Sequence, residues 1–200
     1  FALFLNACST SPLPVQSSDV YEGTMLDGAA PDFQLVDQNG DTFALSDFQG
    51  KVVALTFLDS QCEDICPLTA VHLRQTNQAL GTAANSVVFL GINVNVNANS
   101  LEDIAAATQQ WHLDEIPTWH FLTGNPAELE AVWQSYGIEV DTPGGDSGAL
   151  SHSPGIYLID QTGQQRWYVS TPFVEPNTPA PSRPLNELLL MRIRQLLSET

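Results

Sequence analysis

Two near-continuous apolar runs, at residues 52–58 and 87–92, set the frame of this 200-residue chain. Each is typical of a strand buried on both faces, because a strand with one solvated face alternates apolar and polar side chains. Between the runs, residues 67–80 show helical periodicity that ends at Gly81, a residue suited to closing a helix. Strands that alternate with helices predict an α/β fold.

The remaining sequence continues this alternation and predicts one domain over residues 31–200, with a Pro-rich segment at 171–184. The expected architecture is an α/β sandwich of the thioredoxin type, a central mixed sheet flanked by helices with a β-hairpin at its N-terminus. The other predicted elements are a hairpin around Asn39-Gly40, helices over 101–111 (capped by Ser100), 126–136 and 185–197, strands at 118–122, 156–159 and 166–170, and a flexible loop at 141–155.

The first residues, "FALFLNAC", are typical of the remnant of a lipoprotein-type signal over residues 1–8. Cys8 would then carry a lipid and attach the protein to a membrane. Residues 9–30 are rich in Ser, Pro, Gly and Asp and are predicted to be a flexible linker. This interpretation puts the domain outside the cytoplasm, anchored in the bacterial cell envelope, where disulfides are permitted.

The charge distribution excludes one class of partner. Lysine and arginine total 6 against 23 acidic residues, giving a net charge of −17. The six basic residues are scattered, so no basic patch is available to neutralise phosphates. Nucleic-acid binding is therefore not expected, and the acidity indicates a well-hydrated surface.

The stretch "FLDSQCEDICPLTA" contains the residues of this sequence that are best suited to redox chemistry or metal binding. With Cys8 assigned to the signal, Cys62 and Cys66 form an isolated pair just after a predicted strand. In open α/β sheets, functional groups gather at the carboxyl ends of strands. A four-residue offset brings both sulfurs to one side of a helical turn. The pair could be inert core, a structural disulfide, or a working dithiol or metal site; we favour the last.

Four histidines could supply a further ligand. His72 lies too far along the predicted helix, His112 falls at a helix end, and His120 lies within a strand, so structural roles explain these three. His152 differs because it immediately precedes the strand "GIYLID", whose start lies against the active-site cysteines in a thioredoxin-type fold. His152 is therefore a candidate copper ligand.

From Pro31 to about Phe173 the chain resembles the SCO/SenC family of copper-binding, thioredoxin-like proteins. The matching stretches are "PDFQLVDQNGDTFALSDFQGKVVALTFLDSQCEDICPLT", "FLTG" at 121–124 and "HSPGIYLID" at 152–160. The resemblance implies that Cys62, Cys66 and His152 bind copper, as Cu(I) or Cu(II). It also implies a chaperone and thiol reductant that serves the cytochrome c oxidase subunit carrying the binuclear copper site. A monomer is expected.

Three departures or special features accompany the resemblance. Glu63 stands where the family commonly has proline, and an added carboxylate beside the sulfurs should raise their pKa. Asparagines at 93, 95, 97 and 99 replace the family's acidic stretch and are interpreted as a polar loop. Pro154 stands where thioredoxin-like reductases have a cis-proline, so a cis Ser153–Pro154 bond would favour retained thiol–disulfide chemistry.

Several functions follow from these observations. The leading hypothesis is a copper metallochaperone, and the alternative is a membrane-tethered thiol–disulfide oxidoreductase with Cys62 as nucleophile and Cys66 as resolving cysteine. Whether the chain is an enzyme is left open. A peroxidase ranks lower, because Asp59 and Glu63 occupy the positions where a Thr-x-x-Cys motif would need threonine. A disulfide-stapled binding domain is the purely structural alternative.

Overall fold

The computed structural model describes residues 21–141, 151–152, 155–170 and 183–199. The strands of this part of the chain are β1 (Thr24–Met25), β2 (Gln34–Asp37), β3 (Thr42–Ala44), β4 (Val52–Leu58), β5 (Val87–Asn93), β6 (Trp119–Thr123), β7 (Val140–Asp141), β8 (Ser151–His152), β9 (Ile156–Ile159) and β10 (Gln165–Val169). The α-helices are α1 (Ile65–Leu80), α2 (Leu101–Gln110), α3 (Pro126–Ser135) and α4 (Leu185–Ser198).

Eight of the strands form one sheet in the order β1-β10-β9-β4-β5-β6-β2-β3. The three central strands, β4, β5 and β6, run parallel to one another. Antiparallel strands flank them, with β9 beside β4 and the β2–β3 hairpin beside β6. The predicted mixed sheet with an N-terminal hairpin is therefore confirmed.

β4 and β5 have near-continuous apolar sequences because helices cover both faces of the sheet, and every residue of the two strands is buried. Alternate side chains of β4 enter different cores. Leu58 packs in the core that also receives apolar residues of α1, α2 and α4. Phe57 packs in the core on the other face, together with residues of α3. The sheet therefore lies between two well-packed layers, and the loop that carries Cys62 follows the end of β4.

Local sequence signals explain several element boundaries. Gly40 has a φ of 87°, which the turn between β2 and β3 requires, and Gly81 closes α1 with a φ of 59°. Ser100 and Asp103 form a capping box at the start of α2. The start of α1 differs from the prediction by two residues, because the helix begins at Ile65 and Cys66 therefore lies in its first turn.

Two segments differ from the predicted linker and loop. Within residues 21–30, which were expected to be linker, Thr24 and Met25 pair with β10 at the edge of the sheet, and Ala29 bridges to Gln164. At the ends of the predicted loop, β7 and β8 pair, with Val140 opposite His152. Backbone hydrogen bonds build both short pairings, so neither leaves a side-chain period in the sequence.

Some predictions lie outside the described residues. These are the lipid-bearing Cys8 and residues 1–20, the interior of the loop at 142–150, the Ser153–Pro154 bond, and most of the Pro-rich segment, at 171–182. Among the helices that are described, none combines the length and the apolar character needed to cross a membrane.

Candidate metal centre at the cysteine pair

The cysteine pair lies where β4 ends and α1 begins. β4 finishes at Leu58, a short loop carries Cys62, and α1 starts at Ile65. β5 runs parallel to β4 and ends beside it, with Leu58 opposite Asn93. The site therefore occupies the carboxyl edge of the parallel strands, as the sequence predicted.

The structure brings the two cysteines into direct contact. Both are free thiols. The backbone N–H of Cys66 donates to Cys62 Sγ over 3.3 Å, and the Cys62 thiol lies 3.1 Å from Asp64 Oδ1. Cys66 is only 1% exposed within the core, whereas Cys62 is half-buried. One sulfur thus faces the surface and the other lies beneath it.

This arrangement separates the acidities of the two thiols. The pKa of Cys62 is lowered from 9.0 to about 7, first because the Cys66 side chain donates a hydrogen bond to its sulfur, with the Cys66 backbone N–H adding to the effect. Burial and the contact with Asp64 act in the opposite direction. The pKa of Cys66 is raised well above its ordinary value, first by the same hydrogen bond to Cys62 and then by burial. When the pair loses a proton near neutral pH, the thiolate therefore forms on Cys62 while Cys66 keeps its proton.

The expected influence of Glu63 is not what the structure shows. Glu63 is exposed, and the carboxylate that contacts sulfur belongs to Asp64, which also caps α1 by accepting from Ile65 N over 2.6 Å. The contact with Cys62 lowers the pKa of Asp64. The side-chain contact with Asp64 does raise the pKa of Cys62, as expected of a neighbouring carboxylate, but the net pKa is lowered because the donors from Cys66 outweigh it.

Asparagines hold the loop in front of Cys62. Asn95 is 8% exposed, and its Nδ2 donates to Oδ1 of the equally buried Asp59 over 2.8 Å. Fully buried Asn93 accepts from Ser60 N at 3.3 Å and donates to Ala98 O at 2.9 Å. The expected polar loop therefore begins only after Asn93, which ends β5, and within it Asn95 is buried and bonded to Asp59 rather than solvated.

Sequence reasoning missed Asp59, Asn93 and Asn95 as residues of the site. A signal was available, because asparagine alternates with valine directly after a buried strand, and alternate residues of extended chain point the same way. Their position at the carboxyl end of β5, next to β4, was a second signal.

Three of the four histidines lie away from the cysteine pair, as predicted. His72 is in α1, and His112 is exposed just after α2 with a left-handed φ of 56°. His120 packs its ring against Phe43 and lies 3.0 Å from Asp37 Oδ2 through Nδ1. That contact ties the β2–β3 hairpin to β6.

His152 lies in β8, half-buried, opposite Val140. Within residues 21–141, 151–152, 155–170 and 183–199, no three His, Cys, Asp or Glu side chains are grouped so that they could hold one metal ion. The structure therefore joins Cys62 to Cys66 but does not join His152 to them. The third ligand remains a prediction.

The separated acidities predict selective alkylation. Iodoacetamide reacts with the thiolate, and the pKa of Cys62 is lowered from 9.0 to about 7. Modification of Cys62 should therefore have a pH midpoint of about 7. Cys66 should stay unmodified in the native protein because it is buried and protonated. Peptide mapping by mass spectrometry measures each cysteine separately, with the denatured protein as control. Equal modification of both cysteines at every pH would contradict this picture.

The SCO1/SenC family model matches residues 24–177. A SCO2-like protein from Rickettsia felis is 25% identical over 150 residues, which cover 73% of this chain and 70% of that protein. The crystal structure of Arabidopsis thaliana ScoI with copper bound matches with a TM-score of 0.69 and 20% identity, covering 86% of this chain and all of the other (100%).

A second solved structure is that of BsSco, a member of the Sco family of cytochrome c oxidase assembly proteins in which a disulfide switch was identified. It matches with a TM-score of 0.69 and 18% identity, covering 88% of this chain and 97% of the other. At these identities the two solved structures establish a shared fold. The predicted thioredoxin-like architecture is thereby confirmed.

Proposed function

This chain belongs to the SCO1/SenC family, and on that premise we propose that it is a metallochaperone that binds copper and delivers it to the binuclear copper site of cytochrome c oxidase. The observation that carries the proposal is the cysteine pair at the start of α1, two free thiols in contact with each other. Copper is here the cargo, and the copper-bound ScoI of the same fold supports this choice of metal.

The donor set suits Cu(I). Thiolate sulfur is a soft ligand and selects soft ions of this kind. Cys62 supplies a thiolate near neutral pH, because its pKa is about 7. Cys66 must release its proton when the metal binds, so binding should become tighter as the pH rises.

His152 is proposed as the third ligand. β9 runs antiparallel to β4, with Ile156 opposite Thr56, so β9 begins at the sheet edge where β4 ends. His152 comes four residues before Ile156 in the chain, and this short separation is the support for proposing that its imidazole reaches the edge that carries Cys62. A neutral imidazole there would complete a site with two sulfurs and one nitrogen.

Substitution of His152 tests the proposal. The reduced protein should retain a single Cu(I) against a chromophoric chelator, and His152→Ala should weaken binding by about 10–100-fold. His112→Ala is the matched control, because His112 is exposed and distant in sequence, and it should bind as tightly as the unsubstituted protein. No retained Cu(I) in the unsubstituted protein would refute copper binding; equal affinity in His152→Ala would refute only the third ligand.

The asymmetry of the two thiols favours one other function, a thiol–disulfide oxidoreductase. The Cys62 thiolate would attack a partner disulfide to form a mixed disulfide, and Cys66 would then attack Cys62 and release the partner. The partner disulfide gains two electrons and two protons and becomes two thiols, while Cys62 and Cys66 become a disulfide. Reduction of a disulfide in a copper-site peptide, followed by mass spectrometry, tests this function. If the peptide disulfide stayed intact after incubation with the fully reduced protein, this function would be excluded.

The proposal includes an extracytoplasmic location, with a lipid on Cys8 as anchor and the oxidase subunit as partner. It rests on the sequence "FALFLNAC" and on the family. Mass spectrometry of the N-terminal peptide isolated from membranes should find Cys8 acylated. An unmodified Cys8 in the membrane-extracted protein would contradict the anchor.

A further inference from the structure

We propose that Asn95 is a positioning residue of the Cys62–Cys66 pair, because its amide holds Asp59 and thereby fixes the loop that carries Cys62. The part of this inference that concerns copper rests on the proposed function. The part that concerns the thiol–disulfide equilibrium does not, and it can be tested without metal.

The contacts form a direct chain from Asn95 to Cys62. Asn95 Nδ2 donates to Asp59 Oδ1 over 2.8 Å, and Gln61 N donates to the same oxygen over 2.9 Å. Cys62 N donates to the backbone carbonyl of Asp59 over 3.0 Å. Asp59 and Asn95 are 9% and 8% exposed, so water cannot readily replace these bonds. We call this set of contacts, between Asn95, Asp59, Gln61 and Cys62, the loop clamp.

A second attachment prevents the loop from shifting as a unit. Ser60 N donates to Asn93 Oδ1 over 3.3 Å, and Ser60 Oγ donates to Ala98 O over 2.6 Å. Asn93 is fully buried and also accepts from Asn95 N at 3.2 Å. The last residue of β5 and the segment that follows it therefore hold two consecutive residues of the loop, Asp59 and Ser60.

The clamp matters because only one of the two sulfurs can move easily. Cys66 is fixed by α1 and by the core, whereas Cys62 lies on the loop. The described geometry is that of two thiols that share hydrogen bonds, and a disulfide needs the sulfurs at about 2.05 Å. Disulfide formation therefore brings Cys62 Sγ closer to Cys66 Sγ than in this hydrogen-bonded arrangement, and the Cys62 loop is the part of the pair placed to supply that movement. A clamp that holds the loop stabilises the dithiol and keeps the sulfurs ordered for a metal ion.

An amide at position 95 is the group that this role requires. Asp59 offers a carboxylate oxygen inside the protein, and a second carboxylate at position 95 would face it without a hydrogen to donate. Asparagine supplies the donor, while its Oδ1 accepts from Asn97 N over 3.0 Å. The role thus requires one carboxylate and one amide at positions 59 and 95, and an experiment can exchange the positions of these two groups.

The experiment compares the full chain with Asn95→Asp and with the exchanged pair Asp59→Asn/Asn95→Asp. Each protein is equilibrated with reduced and oxidised glutathione, and the Cys62–Cys66 disulfide is quantified by peptide mapping. Formation of the disulfide converts one oxidised glutathione into two reduced ones, so electrons and protons balance. Asn95→Asp should shift this equilibrium about tenfold toward the disulfide, which corresponds to about 30 mV. The exchanged pair should restore the original equilibrium.

Asn97→Ala is the matched control, because Asn97 is exposed and joins the network only through its backbone N–H. It should leave the equilibrium unchanged. Cu(I) affinity, measured in parallel, should fall about tenfold in Asn95→Asp and return in the exchanged pair. If Asn95→Asp lowers thermal stability but leaves the equilibrium unchanged, or shifts it toward the dithiol, the positioning role is wrong. If the unsubstituted protein binds no Cu(I), the proposed function fails while the glutathione result still decides this inference.

Discussion

Replacing Cys66 with alanine should weaken Cu(I) binding by at least about a thousandfold. The substitution removes one of two soft ligands and leaves a single sulfur at the site. It should also raise the pKa of Cys62 from about 7 toward its ordinary value, because the Cys66 side chain is the leading donor to that sulfur. The Cys66 backbone N–H survives the substitution, so part of the lowering should remain. Chelator competition measures the affinity, and the pH profile of Cys62 alkylation measures the pKa.

Leu68→Ala is a suitable control for this substitution. Leu68 lies in the same helical turn but is 44% exposed and has no sulfur. The control should keep both the Cu(I) affinity and the alkylation midpoint of the unsubstituted protein. If Cys66→Ala bound Cu(I) within about tenfold of the unsubstituted protein, Cys66 would not be a ligand.

The elements that were predicted correctly are those in which burial or capping determines which side chains occur, so that the residue pattern indicates the structure. β4 and β5 are almost entirely apolar because both faces are covered, and α2 begins at a capping box that the sequence displays. β1 shows the limit of this reasoning. Thr24 and Met25 are exposed and enter the sheet through backbone pairing with β10, which no side-chain pattern encodes.

Some features of the cysteine site could also be predicted from the sequence, and others could not. Cys62 and Cys66 were identified from their spacing and from their place after a strand. The acidity of Cys62 was not, because its main donors are groups of Cys66 that reach it only when the loop folds back on the start of α1. The roles of Asn93 and Asn95 were missed for a related reason. A buried asparagine is stable only where distant backbone and side-chain groups satisfy it, and those partners are set by the fold.

Phe57→Ala should destabilise the protein by about 3–5 kcal/mol. Phe57 is almost completely buried in β4, and its ring packs against Tyr136 and Tyr157 at centroid distances of 5.7 and 6.2 Å. The truncation leaves a cavity between rigid rings that cannot readily close it. Denaturant unfolding monitored by circular dichroism measures the loss as a lower transition midpoint with an unchanged slope.

The same variant should leave the chemistry of the cysteine pair intact. Phe57 points into the core on the face of the sheet opposite the one that receives Cys66, and the groups that lower the pKa of Cys62 belong to Cys66 itself. The alkylation midpoint of Cys62 should therefore stay at about 7 although the fold is weaker. Met25→Ala, at a side chain that is 71% exposed, should change the stability by less than about 0.5 kcal/mol. A loss below about 1 kcal/mol in Phe57→Ala would contradict the packing described for this core, and a shifted midpoint would mean that both faces of the sheet tune the Cys62 thiolate.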